Sequence, residues 1–263
     1  MRVTMATDPH AGRANEDFTG AVPAAAVLVD GAGIPGAGSL CRHGVAWYAA
    51  RLGGGLLTLL WHAPGRGLAD LLGEAIEQVT GEHRDTCDVT SPISPSAAVA
   101  VLRLSGGRAE HLVLGDATVV LDRAGSAPLV VTDPREVVIS SRYEAALRGV
   151  AEGSDEHRRI LGDLRAHRNR PGGFWVAKDD PRAAAEAVTG SCPVAGLTGA
   201  ALLSNGASRI VDRFALAGWP EVMAALASDG PGAIIGRVRQ AEARHAVAAD
   251  DATIAYCTGL DAP

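Results

Sequence analysis

Short apolar runs alternate with glycine-rich and charged segments along the whole chain. Ala24 to Asp30 (A-A-A-V-L-V-D) is an apolar run ending in Asp-Gly, the pattern of a buried strand that delivers a carboxylate to its tip. Apolar residues at spacings of three and four predict helices over 42–62 and 68–83. Gly53, Gly54 and Gly55 weaken the first of these, each by about 1 kcal/mol relative to alanine. Strands are predicted over 96–104, 110–122 and 129–132, divided by the turns Ser105-Gly106-Gly107 and Ala124-Gly125-Ser126. A charged helical stretch over 141–170 and a short strand over 174–177 follow. Two apolar runs, 200–204 and 253–257, suit central strands, and helices are predicted over 219–227 and 230–245. Paired helices, a run of strands, then further strands and helices predict an α+β fold with a largely antiparallel core. No repeat of 20 to 50 residues is present, and no linker divides residues 1–263, so a single domain is expected.

Composition narrows the class. Of the 263 residues 47% are hydrophobic and 21% charged, which excludes a disordered chain, a fibre and a coiled coil. Aromatics are only 4%, so Ala, Val and Leu must build the core. The net charge of −6 argues against nucleic acid as a partner, because phosphate binding calls for the opposite balance. The longest apolar stretch, 45–61, is interrupted by Arg51 and three glycines and is too short and polar to span a bilayer. Met1 to His10 has no apolar run of a signal peptide. No membrane association and a cytoplasmic location are expected. Cys41, Cys87, Cys192 and Cys257 form no C-x-x-C pair and are expected to be reduced thiols. Cys41-Arg42-His43 has no second ligand pair beside it, so no structural zinc is expected.

Several chemistries fail on their motifs. Gly31-Ala-Gly33-Ile-Pro-Gly36 fits G-x-G-x-x-G, but a dinucleotide fold needs an acid about 20 residues on for the ribose. No Asp or Glu occurs between Gly31 and Ala69. Lys178, the sole lysine, lies outside any G-K-[S/T] phosphate loop, and no G-x-S-x-G nucleophile elbow is present.

What remains is a set of acids at element ends: Glu16, Asp17, Asp30, Asp116, Asp250 and Asp251. Acids at the tips of apolar strands cost stability unless something pairs them. Oxygen ligands from separate segments suit Mg²⁺ or Mn²⁺. The order of the segments resembles the metal-dependent protein phosphatase family, type 2C, in its bacterial single-domain form. The resemblance rests on Asn15-Glu16-Asp17, Asp30-Gly31-Ala32-Gly33, Pro95-Ser96-Ala97-Ala98, the hairpin motif Gly115-Asp116-Ala117-Thr118, Ser204-Asn205-Gly206 and Asp250-Asp251-Ala252-Thr253.

The resemblance implies an α-β-β-α sandwich of two antiparallel sheets flanked by helix pairs. It also implies two divalent ions, Mg²⁺ or Mn²⁺. Asp30 would bridge them, Glu16 and the Gly31 carbonyl would hold one, and Asp250 and Asn205 the other. The ions would activate a water, Asp17 would orient it, and Arg13 would bind the phosphoryl group. The implied activity is hydrolysis of phosphoserine or phosphothreonine in proteins. A small phosphoester substrate, or a weakened pseudophosphatase that binds a phosphorylated partner, are the alternatives. Asn205 stands where the family carries a metal-binding aspartate, which implies one weak ion site. Arg13 is one residue closer to Glu16 than in bacterial relatives, Ala32 replaces a histidine of some relatives, and 169–176 replaces an S-R-x-x-G-D segment. Arg142, Arg148, Arg158, Arg159, Arg165, Arg168 and Arg170 crowd together with Glu144, Glu152, Asp155, Glu156 and Asp163. They form either a solvated helix face or a flap that presents positive charge to an anionic substrate.

Overall fold

The computed structural model describes residues 1–10, 12–33, 41–151 and 153–260. Along the chain run β1 (Arg2–Asp8), β2 (Asp17–Val22), β3 (Ala25–Ala32), α1 (Gly44–His62), α2 (Leu68–His83), β4 (Ser96–Ser105) and β5 (Arg108–Leu114). Then come β6 (Thr118–Arg123), β7 (Ser126–Thr132), α3 (Arg135–Ser140), α4 (Glu144–Leu147), α5 (Asp155–Arg165), β8 (Val188–Pro193) and β9 (Leu197–Leu203). The chain closes with α6 (Asn205–Asp212), α7 (Trp219–Ser228), α8 (Pro231–His245) and β10 (Ala252–Thr258). Two five-stranded antiparallel sheets result, ordered β1-β10-β9-β6-β7 and β2-β3-β4-β5-β8. The α-β-β-α sandwich expected from the resemblance is the architecture observed.

Three apolar layers hold it together. Because side chains alternate across a strand, Ala25, Val27 and Val29 of β3 face α1 and α2, while Ala26 and Leu28 face the other sheet. Ala97, Val99 and Val101 of β4 do the same against Ala98, Ala100 and Leu102. Strands buried on both faces read as unbroken apolar runs, which is why 24–30 and 96–104 were legible. The outer face of the first sheet packs on α6, α7 and α8 through Ile210, Val222, Leu226, Ile234 and Val238. No helix among the described residues is long and apolar enough to cross a membrane.

The structure corrects four local expectations. The run 110–122 is two strands, not one: β5 belongs to the second sheet and β6 to the first. Gly115 sits between them at φ +79°, in a conformation other residues rarely adopt, and a Cβ there would come within 2.8 Å of Ala98 Cβ. The chain therefore turns from sheet to sheet at Gly115-Asp116 rather than forming a hairpin. The stretch 141–170 breaks into α4 and α5, with Gly149 and Gly153 at positive φ between them. Residues 174–177 make only isolated bridges, Phe174 to Arg168 and Ala177 to Ala97. The strands β1, β2 and β8 escaped the sequence pattern because they lie at sheet edges, where partial exposure lets polar residues replace alternation. Glu152, and Ile34, Pro35 and Gly36 of the glycine motif, lie outside the described residues.

Candidate active site

The acids gather at one end of the sandwich, delivered by strand tips and by the sheet-to-sheet turn. Asp17 opens β2 and pairs in register with Asp30 near the end of β3. Where β3 leaves the sheet, Gly31 presses against the loop before β2, and a Cβ there would lie 2.3 Å from the Glu16 carbonyl oxygen. Asp251 fixes that loop by accepting the backbone N–H groups of His10 and Glu16, each at 2.6 Å. Ser204, between β9 and α6, exchanges hydrogen bonds with Thr253 of β10: its N–H donates to the Thr253 carbonyl at 3.0 Å, and its Oγ accepts the Thr253 N–H at 2.9 Å. This anchors Asn205 at the start of α6. Its backbone N–H donates to Asp30 Oδ2 at 2.7 Å and its side-chain Nδ2 to Asp116 Oδ2 at 2.9 Å.

The result is a cleft of about 230 Å³ lined by Arg13, Glu16, Asp30, Gly31, Asn205 and Asp250 of the expected site residues. Asp116, Glu136, Arg165 and Arg168 share its walls. Asp17 is not at the cleft surface. Both its carboxylate oxygens are buried without a hydrogen bond of normal geometry, and the Thr253 and Ser204 hydroxyls lie nearby. Asp250 Oδ2 accepts Arg209 at 2.6 Å.

These carboxyls are held against their preference. Burial first, then the charges of Asp17, Asp116 and Asp250, raise Asp30 well above the ordinary carboxylate range. Burial lifts Asp17 to about 7, with the Thr253 and Ser204 hydroxyls opposing and Asp251 and Asp250 adding to it. Asp116 and Glu16 are raised as well, again chiefly by burial. Buried carboxylates that repel one another, brought to one cleft by separate segments, are donors of the kind a hard divalent cation takes. The residues present therefore fit Mg²⁺ or Mn²⁺.

Positive charge lines the same cleft. Arg165, at the end of α5, donates to the Gly33 carbonyl at 2.6 Å, and its NH1 is buried without a partner. Burial, then Arg168, lowers its guanidinium to about 9. Arg168 is buried with its guanidinium carbon 6.0 Å from the centre of the Phe174 ring, and its Nε and NH1 are also unpartnered. Arg158 and Arg159 instead pair with Asp155 and Asp163 in solvent. The arginine-rich stretch therefore divides: Arg158 and Arg159 lie on a solvated face, whereas Arg165 and Arg168 line the cleft. Glu136 of α3, lifted to about 8 by burial and then by Asp116, was not singled out, since nothing in R-E-V-V-I-S distinguishes it from a solvated helix acid.

No family model matches the chain, and no curated protein matches it by sequence. Solved structures match it along nearly its full length. The Mycobacterium tuberculosis serine/threonine phosphatase PstP/Ppp superposes with a TM-score of 0.59 at 18% identity, over 98% of this chain and 97% of its own. The fold is that of the type 2C phosphatases. The Staphylococcus aureus serine/threonine phosphatase Stp1 superposes at 0.59 with 12% identity, over 97% of this chain and 94% of its own. The PstP catalytic domain, solved in complex with 2 manganese ions, superposes at 0.60 with 17% identity, over 98% of this chain and 97% of its own. Within this phosphatase fold the site residues here come from the same end of the sheets, at the tips of β2, β3, β9 and β10.

Proposed function

We propose that this protein is a metal-dependent phosphomonoester hydrolase acting on phosphoserine and phosphothreonine in proteins. The observation that carries the reading is the convergence of buried carboxylates from separate segments on one cleft whose lining also includes Arg13, Arg165 and Arg168. The serine/threonine phosphatases of the same fold, one with two manganese ions, support the substrate class and the metal.

Glu16, Asp30, the Gly31 carbonyl, Asn205 and Asp250 would hold Mg²⁺ or Mn²⁺, which when bound lowers the pKa of water and offsets charge on the phosphoryl group. Arg13 binds the phosphoryl oxygens, where a planar guanidinium can make two parallel hydrogen bonds. Arg165 and Arg168 line the same cleft and carry buried N–H groups without a partner, which suits them to hold an anionic group there. Asp17, buried behind Asp30 and away from the cleft surface, acts through Asp30, with which it is paired in register, rather than by touching the attacking water. Displacement is in line, with no covalent enzyme intermediate.

One observation favours a second reading, a phosphoprotein binder that turns over slowly. Asn205 donates to Asp116 and so lends the cleft a hydrogen bond where a carboxylate would lend charge. Release of phosphate from an aryl phosphate in Mn²⁺ or Mg²⁺ separates the two. The first reading requires turnover in the wild type and none in Asp30→Asn. Equal rates in the two proteins would refute it. Faster hydrolysis of a phosphopeptide panel than of sugar and nucleoside phosphates is the expected substrate order.

A further inference from the structure

A second cluster of ligating side chains lies at the helix pair on the outer face of the second sheet. Cys41 and His43 stand just before α1, His83 is the last residue of α2, and Cys87 follows four residues on. One ligand atom from each of the four lies within 4.8 Å of all the others. The contacts cross between the two segments: Cys41 Sγ lies 3.7 Å from His83 Nδ1, and Cys87 Sγ lies 3.4 Å from His43 Nδ1. With bonds of about 2.3 Å to sulfur and 2.0–2.1 Å to nitrogen, a tetrahedral zinc sets its sulfur and nitrogen ligands about 3.6 Å apart. Two separate thiol–imidazole hydrogen bonds would explain each distance singly. They would not bring both pairs to one point.

We propose that Cys41, His43, His83 and Cys87 form a structural zinc site that clamps the start of α1 to the end of α2. The surroundings suit it. Cys41 and His83 are buried. Trp47 stacks on the His43 ring at 4.4 Å between centroids and lies 5.2 Å from the His83 ring, which shields the pair from water. The backbone N–H groups of His43 and Gly44 face the Cys41 sulfur, and those of Arg42 and His43 face Cys87. Such N–H donors orient and balance thiolate ligands. Thiolate and imidazole in a tetrahedron select Zn²⁺, whereas the oxygen donors of the cleft select a harder ion. The two sites therefore take different metals.

The clamp has a structural consequence. It ties Cys41 and His43, just before α1, to His83 and Cys87 at the end of α2. The same region is already cross-linked: the Tyr48 and Thr80 hydroxyls both donate to the Lys178 carbonyl, at 2.8 and 3.2 Å, and Lys178 Nζ donates to the Val89 carbonyl at 2.6 Å. The proposal runs against the expectation, drawn from Cys41-Arg42-His43 alone, of no structural zinc. The missing pair, His83-x-x-x-Cys87, lies beyond two helices, and only the antiparallel packing of α1 on α2 brings it back.

The test uses the full chain, reduced, stripped of metal and titrated with Co²⁺. The expected spectrum has the intense visible bands of tetrahedral cobalt and a near-ultraviolet thiolate-to-cobalt charge-transfer band. Asp30→Asn, in the oxygen-ligand cleft, should keep both features. Cys41→Ser/Cys87→Ser should lose the charge-transfer band and bind zinc at least about 100-fold more weakly, beyond the loss seen when only a supporting partner is removed. Cys87→His keeps four ligands and should keep tetrahedral cobalt with the charge-transfer band cut by about half, one thiolate of two remaining. This variant and the wild-type spectrum stand as the test if the double variant does not fold. A wild-type spectrum without thiolate bands, a band that survives in the double variant, or a Cys41–Cys87 disulfide in the purified protein would each overturn the proposal.

Discussion

Replacing Asn205 with aspartate turns a hydrogen bond into a repulsion, and its effect should change sign with metal. Asn205 Nδ2 donates to Asp116 Oδ2 at 2.9 Å, and its backbone N–H caps Asp30 Oδ2 at 2.7 Å. The substitution first removes a hydrogen bond to a charged group, worth about 1.5–3 kcal/mol. It then sets a new carboxylate against Asp116. Two like charges 4 Å apart at an effective dielectric near 20 repel by about 4 kcal/mol. Taking up a proton at neutral pH relieves that for a similar amount, about 3 pKa units at 1.36 kcal/mol each. Because these contributions overlap, a net loss of about 3–5 kcal/mol is expected without metal. At about 2–4 °C per kcal/mol for a chain of this size, Tm in chelator should drop by roughly 6–20 °C.

A bound divalent ion removes the repulsion, and the same free energy then appears as affinity. At about 1.4 kcal/mol per decade, Mn²⁺ should bind Asn205→Asp roughly 100- to 4000-fold more tightly at the affected site, and aryl phosphate hydrolysis should rise about tenfold or more. The assay is thermal unfolding in chelator and in Mn²⁺, beside a calorimetric Mn²⁺ titration of both proteins. Equal Tm in chelator together with equal ion number and affinity would refute the argument and remove Asn205 from the ligand set.

Three further outcomes are expected. Asp30→Ala should abolish metal-dependent hydrolysis yet raise Tm in chelator, because Asp30 is buried against Asp17, Asp116 and Asp250; retained turnover would sink the two-ion arrangement. Arg13→Ala should raise KM for phosphoesters about tenfold or more with metal affinity nearly unchanged, the loss of one charge-assisted contact; an unchanged KM would place Arg13 away from the phosphate. Burial holds His111 of β5 below its ordinary pKa, so the unfolded chain takes up its proton first. Its contribution to stability is therefore full above about pH 6.5 and is lost as pH falls below that value. Denaturant midpoints measured above and below pH 6.5 should diverge more in the wild type than in His111→Gln, and identical slopes would refute the assignment.

What the sequence determined by itself was local. Unbroken apolar runs marked β3 and β4 because both faces of each are buried, and spacings of three and four marked α1, α2, α7 and α8 to within about two residues at either end. The acids at element ends marked the cleft, because a carboxylate at the tip of a buried strand needs a partner wherever the fold places it. Tertiary structure decided the rest, and each case turns on partners distant in sequence. The division of 110–122 between two sheets depends on Gly115 meeting Ala98. Arg165 and Arg168 left a stretch whose other arginines are solvated because α5 ends against Gly33 and the cleft, a contact no charge pattern encodes. Cys41-Arg42-His43 acquired its second pair through helix packing. Periodicity reports which face of an element is buried, whereas the identity of what covers that face is set by long-range packing, where burial and charge reach the values that give the site its chemistry.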